Sequence, residues 1–332
     1  MERLWSEIQE FNGGFAESMD LIEKELLASL SHASPDALYD ASRHLILTGG
    51  KKVRPALVAL AYDAVGGKRG PEYILHIAIA VELIHTATII HDDIIDRSTM
   101  RRGAKTVNAQ WGNDIALIAG DLIFSKAFGL VGAHERREMS EIISGACVHL
   151  SEGEVLETLH TGDIRMTEEV YLEIIERKTA SLFEACTRCG ALLGDGTGEE
   201  AEALSRYGYL IGIGFQMTDD VLDITAGAGK LGKPVGADIG LGKPTFIILH
   251  ALKEARGREK ALLERVIRGE MKDPKDVKRA LDVIRRTNSI EYANKRAEEF
   301  IKRAKGELAP LQDSRAKKSL ELIADYAIKR DF

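Results

Sequence analysis

The stretch "IIHDDIIDRSTMRR", residues 89–102, sets Asp92, Asp93 and Asp96 among Ile89, Ile90, Ile94 and Ile95 and closes on an arginine pair. On a helix, Asp92 and Asp96 share a face about 5–6 Å apart, where like charges destabilise. Aspartate is also a weak former of helix interiors. Thr88 and Ile89 occupy the positions four residues earlier, so no lysine or arginine relieves the acids from there. A solvated acidic face fits poorly with four isoleucines around it. The spacing returns in "FQMTDDVLD", residues 215–223, where Asp219, Asp220 and Asp223 again sit among apolar residues. If the two segments face each other, only cations can neutralise them. Oxygen-only ligands with room for water and phosphate suit Mg²⁺. The bland alternative is two unrelated surface acid runs.

Upstream lies the longest apolar run, "YILHIAIAVELIHTATII" (73–90), interrupted by His76, Glu82 and His85. It reads as a buried helix and not as a membrane span. Helical periodicity continues on both sides. "FAESMDLIEKELLASL" repeats apolar residues every three or four positions. "SPDALYDASRHLILTGG" is bracketed by Ser34-Pro35-Asp36 and Gly49-Gly50, and "VRPALVALAYDAVGG" by Pro55 and Gly66-Gly67. Further helices are predicted over about 113–132, 134–160, 167–194, 197–225, 244–255, 257–268, 273–286, 288–308 and 314–330, with end errors of ~2–4 residues. There is no alternating strand, no repeat and no Pro- or Ser-rich linker. The expectation is a single all-α domain over residues 1–332.

Composition agrees. The chain has 332 residues, 45% hydrophobic and 29% charged, with few aromatics and seven prolines, which favours helices. A net charge of -7 and a pI near 5.8 argue against nucleic acid as a partner. Three cysteines are too few for a disulfide framework and suit a reducing compartment. Cys186 and Cys189 have CxxC spacing, but zinc would want a second pair, so chance spacing on a helix is expected. "MERLWSEIQEF" is charged from its second residue and does not read as a signal peptide.

Basic residues bracket both acid clusters. Lys51, Lys52 and Arg54 follow Gly49-Gly50; Arg101 and Arg102 follow the first acids; Lys233 and Lys243 follow the second. Arginine suits bidentate phosphate recognition and lysine acts as a point charge. The inventory fits two polyanions, one bridged by metal to the aspartates and one held by cations alone. "TAGAGKLGKPVGADIGLGKPT" (225–245), with six glycines and three lysines, almost spells a phosphate-binding loop. Pro234 stands where that loop needs Ser or Thr, and no strand precedes it, so a lysine-bearing flap is expected instead.

These segments resemble the trans-polyprenyl diphosphate synthases, the geranylgeranyl and longer-chain enzymes. The likeness lies in "GGKKVRP" (49–55), "HTATIIHDDIIDRSTMRRG" (85–103), "ERKTASLF" (176–183), "GFQMTDDVLD" (214–223) and "GKPVGADIGLGKPT" (232–245). The resemblance implies a helical bundle around a central cavity, of isoprenoid synthase type. It implies Mg²⁺, three ions with substrate bound, on Asp92, Asp96, Asp219 and Asp223, with Asp93 and Asp220 in support. Arg101, Lys178, Lys233 and Lys243 would hold an allylic diphosphate, with Thr179 and Gln216 near the developing cation. Lys51, Arg54, His85 and Arg102 would hold isopentenyl diphosphate, and His91 would be structural. A homodimer is implied as well, and cytoplasmic location is expected from the acidic composition.

A class I terpene cyclase would usually carry an Asn/Ser/Glu-type metal motif in place of Asp219–Asp223. A non-catalytic subunit would usually have lost acids or cations that this chain keeps. Ala87 and Thr88 lie five and four residues before Asp92, ~6–8 Å toward the helix start. In the family a bulky aromatic there floors the pocket, so these small residues imply products of C20 or longer. Ala87→Phe is expected to shorten the product, read by sizing the prenyl alcohols; an unchanged distribution would place the tail elsewhere.

Overall fold

Among the described residues, seventeen α-helices, one π-turn and a hairpin of two-residue strands make up the secondary structure. The computed structural model of the chain describes residues 2–31, 33–225, 235–271 and 273–329. In order come α1 (Glu2–Phe11), α2 (Gly13–Ser29), α3 (Asp36–Leu47), α4 (Val53–Ala64) and α5 (Glu72–Ile95). The hairpin β1 (Met100–Arg101) and β2 (Ala104–Lys105) precedes α6 (Val107–Trp111), α7 (Asn113–Ala133) and α8 (Glu138–Leu159). Next are α9 (Glu168–Ile175), the π-turn Glu176–Ala180, α10 (Ser181–Leu193) and α11 (Gly198–Thr225). The chain ends with α12 (Ala237–Leu241), α13 (Phe246–Glu254), α14 (Gly257–Ile267), α15 (Pro274–Arg286), α16 (Ser289–Glu307) and α17 (Arg315–Ile328).

Local chemistry sets these boundaries. Thr106 and Thr167 cap α6 and α9 by accepting from the amides of Ala109 and Val170. Asp273 accepts from Lys275 N at 2.8 Å ahead of Pro274, which opens α15. The all-α expectation holds, and the predicted helices fall within a few residues of the observed ones. Periodicity did not resolve the hairpin or the π-turn, and α1, α6 and α12 were not assigned. The hairpin turns through Arg102 and Gly103, both at positive φ, the backbone of a two-residue type I′ turn.

Among the described residues, the chain forms two compact units. The first comprises residues 1–147, 182–208 and 306–323; the second comprises 148–181, 209–305 and 324–332. In the first unit α5 is the central element, packed on α4, α7 and α2. Ile77, Ala80, Val81, Leu83, Ile84 and Ala87 are fully buried, so α5 is apolar nearly all round, as a core helix is. Each buried Ile, Leu or Val contributes about 1.5–3 kcal/mol. Both α5 and α7 are long and apolar enough to cross a membrane. The most apolar window of α5 is 72% buried within the protein, that of α7 only 33%. Leu117, Ile118 and Phe128 on α7 are exposed.

The second unit has its own aromatic core. Tyr171, Phe246, Tyr292 and His250 form a chain of ring contacts, with Phe246 and Tyr292 stacked at 5.3 Å. Here α13 packs on α9, α14 and α15. Gly214 lets α11 close on Ile301 of α16, where a Cβ would sit 2.7 Å from the side chain.

In the first unit, Gly190 of α10 faces α4, where a Cβ would come within 2.3 Å of the Val58 carbonyl oxygen and 2.8 Å of Ala61 Cβ. Backbone cannot yield as a flexible side chain can. Gly190→Ala is expected to destabilise by about 1–3 kcal/mol from overpacking, despite the ~1 kcal/mol that alanine gains in helix propensity. Urea unfolding of the two proteins measures the difference.

Candidate active site

The three acids of the first cluster separate once α5 forms. Asp93 is 2% exposed and accepts from Arg101 Nε and Nη2 at 2.8–3.0 Å. Asp92 and Asp96, on the other side of the helix turn, are only half-buried. Asp93 therefore anchors, and the pair four residues apart faces outward from the unit's interior. Removing one partner of a buried ion pair costs about 3–5 kcal/mol, so Arg101 is held in place by Asp93. The hairpin is held from below: Thr106 Oγ1 and Asn108 Nδ2 donate to Ser98 O, and His44 Nε2 meets Lys105 O. Arg102, at the turn, donates from Nη1 to Gly49 O.

That last bond ties the arginine pair to the "GGKKVRP" loop. Trp5 Nε1 donates to Lys51 O, and Lys52 stands in the left-handed region ahead of α4. Arg54 lies over the Phe183 ring, 4.6 Å from its centroid. Glu82, buried in the middle of α5, receives Lys52 Nζ at 3.2 Å. The structure thus gathers Arg54, Arg101, Arg102, Lys52 and His85 within one electrostatic neighbourhood. Burial first, then Arg54, Arg102, Arg101 and Lys52, hold the His85 imidazole well below its usual value. A neutral ring among cations remains a hydrogen-bond donor and acceptor. His91, expected to be structural, meets Leu117 O at 3.2 Å and rests over Gly120 of α7.

The second unit holds the other half of the predicted set. Thr179 Oγ1 donates to Gln216 Oε1 at 2.8 Å, Gln216 Nε2 to Asp220 Oδ1 at 2.9 Å, and Tyr171 Oη to Asp220 Oδ2 at 2.7 Å. This chain fixes both residues expected near the developing cation. Burial, with Asp238 nearby, raises the Asp220 carboxyl far above the usual range, while the bonds from Tyr171 and Gln216 oppose that rise. Asp220 is thereby a scaffold for Gln216. Asp219 is half-buried, and Asp223 accepts from Asp238 N at 3.2 Å. Gly236 N also donates to Asp223 O, so the described end of the flap folds back on α11. Lys178 and Lys243 reach the same carboxylate oxygen of Glu157 at 2.8 and 2.9 Å. Lys178 and Thr179 lie in the π-turn, an irregularity frequent at functional sites. Lys233 lies outside the described residues.

Glu82, Glu154, Glu157 and Tyr171 were missed by sequence reading. A charge inside an apolar run marks Glu82, and carboxylates three apart after Gly153 mark Glu154 and Glu157. Tyr171 carries no such mark. The cysteines are thiols, and burial pushes Cys186 up to about 12. Among the described residues no cluster of three or more His, Cys, Asp or Glu forms a metal cage. What each unit offers is a pair of aspartates four residues apart, Asp92 with Asp96 and Asp219 with Asp223. That is an oxygen-only donor set with the hardness Mg²⁺ prefers and too few ligands to displace its waters.

Comparisons with known proteins show the family to which the chain belongs. The polyprenyl synthetase family model matches residues 35–284. A short chain isoprenyl diphosphate synthase of Methanothermobacter thermautotrophicus is 39% identical over 316 residues, covering 94% of this chain and 96% of that protein. An octaprenyl diphosphate synthase of Escherichia coli is 36% identical over 292 residues, covering 87% and 88%. The crystal structure of a Caulobacter crescentus polyprenyl synthase, complexed with calcium and isoprenyl diphosphate, superposes with a TM-score of 0.91 at 33% identity over 95% of each chain. The fold is that of the all-α isoprenoid synthases. The chain belongs to the polyprenyl synthetase family and is a prenyltransferase that makes prenyl diphosphates.

The depressed His85 has a consequence for pH. The unfolded chain binds this proton near pH ~6.5, and the folded chain does not, so stability falls as pH drops below that value. His85→Gln is expected to lose less stability than the native chain between about pH 7.5 and 5, read by urea unfolding at both values.

Proposed function

We propose that the chain catalyses Mg²⁺-dependent, head-to-tail (1'-4) condensation of isopentenyl diphosphate with an allylic diphosphate, releasing pyrophosphate and giving a polyprenyl diphosphate of C20 or longer. The observation that carries the reading lies in the second unit, where Lys178 and Lys243 meet at one carboxylate and Thr179 bonds Gln216. These are the residues expected to bind the allylic diphosphate and stabilise its cation. Family membership supports the same roles. The family match from 35 to 284 includes parts of both units, which favours the whole chain, residues 1–332, acting as one prenyltransferase domain.

In this reading Asp92, Asp96, Asp219 and Asp223 hold the metal, with Asp93 and Asp220 as their supports. When bound, Mg²⁺ supplies Lewis-acid neutralisation of the departing diphosphate. Lys178, Lys243 and Arg101 neutralise the remaining charge of the allylic diphosphate, and Lys233 joins them. The side-chain oxygens of Thr179 and Gln216 face the developing allylic cation. Lys51, Arg54, Arg102 and neutral His85 hold isopentenyl diphosphate so that its double bond attacks, with proximity and orientation set by binding. Proton loss to the released pyrophosphate completes one addition. The cation needs an apolar surround that excludes the water that would capture it. Ala87 is fully buried and Thr88 partly so; neither bulk suits a floor near Asp92, which favours products of C20 or longer.

The exposed apolar residues Leu117, Ile118 and Phe128 of α7 favour a homodimer, and the acidic composition favours the cytoplasm. Purified protein is to be incubated with Mg²⁺, isopentenyl diphosphate and a series of allylic primers, and the products sized. Asp92→Ala is expected to lower turnover by roughly 100-fold or more with the fold intact, and chelation is expected to abolish it. Near-native turnover in either case would refute the metal role.

A further inference from the structure

We propose that Glu157 is a positioning residue, which holds the ammonium groups of Lys178 and Lys243 on one oxygen and so presets both lysines to receive a single diphosphate group. The proposal rests on the diphosphate chemistry above and adds a residue to it. Lys178 Nζ lies 2.8 Å and Lys243 Nζ 2.9 Å from Glu157 Oε2, and Lys178 also reaches Glu154 Oε2 at 2.6 Å. The three side chains are 13–23% exposed, so they border solvent without being bathed in it. The two lysines draw the Glu157 carboxyl down to about 2 against the upward pull of burial, so it is ionised at any working pH.

Backbone contacts explain why two lysines far apart in sequence meet here. Helix α8 touches the π-turn at Gly153, where a Cβ would come 2.4 Å from Lys178 N and 2.8 Å from its Cα. Glu157 follows Gly153 by one helical turn and so faces the same way. In the turn just beyond α8, Gly162 N donates to Gly242 O at 2.8 Å. Gly242, at φ +79, leaves no room for a Cβ beside Ile267 O, 2.6 Å away. The backbone at Lys178 and the backbone next to Lys243 are therefore both tied to the α8 region that carries Glu157.

Two ammonium groups drawn to one site repel each other, and the shared carboxylate offsets that repulsion. A lysine is otherwise a point charge on a flexible stem. Each ammonium has three donors, so a bond kept to Glu157 fixes the direction in which the others point. A carboxylate that merely competed with the diphosphate would behave in the opposite way, since its removal would strengthen anion binding.

The test uses the full chain and two variants. Glu157→Gln keeps the size and removes the charge; Glu157→Asp keeps the charge and shortens the reach by about 1.5 Å. Both are expected to weaken Mg²⁺-pyrophosphate binding, measured by calorimetry, about tenfold, as loss of a charge-assisted bond would. Both should raise the allylic KM alike and leave the isopentenyl diphosphate KM unchanged. In a Lys243→Gln background, Glu157→Gln should cost much less. Pyrophosphate binding as tight as native, or tighter, in Glu157→Gln would overturn the proposal. Melting curves verify folding, and Glu157→Asp carries the test if the glutamine variant does not fold. A native chain that binds pyrophosphate in this Glu157-dependent way but makes no prenyl product would refute the proposed condensation and leave the positioning role standing.

Discussion

A carboxylate buried in an apolar helix cannot stay ionised alone, and the structure answers that constraint several times over. Taking a carboxylate from water costs several kcal/mol unless a cation or strong donors meet it. Asp93 is met by Arg101, Glu82 by Lys52, and Glu157 by Lys178 and Lys243. Asp220 takes the other course, with two neutral donors and a carboxyl raised toward the protonated form. Each pairing directs a particular side chain. Arg101 of the hairpin and Lys52 of the loop before α4 are both pinned to α5, and Gln216 is held on Thr179.

The same constraint sorts the acid clusters into inward and outward members. In "DDIID" the middle aspartate is buried and paired, and those flanking it are partly exposed. In "DDVLD" Asp220 is buried within a hydrogen-bonded chain, Asp219 is half-buried, and Asp223 is buried as well, accepting from Asp238 N. Helical spacing produces this sorting in the first cluster, because positions four apart share a face and the residue between them does not; in the second, the backbone amide of Asp238 covers Asp223. Anchors and candidate ligands thus occupy adjacent positions in sequence while serving different ends.

Much of this was legible in the chain. Period-3.6 patterning located α2 to α5, α7, α8, α11 and α13 to α17 within a few residues, since those helices bury a continuous stripe. The acid spacing and the glycine-bounded basic loop identified Asp92, Asp96, Asp219, Arg54 and Arg101 as candidates. The π-turn at Glu176–Ala180 was not legible, because it arises where α8 presses on Lys178 through Gly153, a contact between segments distant in sequence. The hairpin escaped because two residues per strand show no alternation, and its Arg-Gly turn replaces the usual Asn-Gly. Tyr171 was invisible for a similar reason, as only the fold brings its hydroxyl to Asp220.

The buried thiols of the first unit carry a practical consequence. Burial pushes the Cys186 thiol far above its usual range, and only the thiolate reacts. Cys186 and Cys189 are fully buried behind α4 and α10 packing as well. Alkylating reagents can therefore reach them only when that region opens, so the rate of their modification becomes a clock for local breathing of the native protein. The chain carries its own reporter of conformational opening, with no label to be introduced.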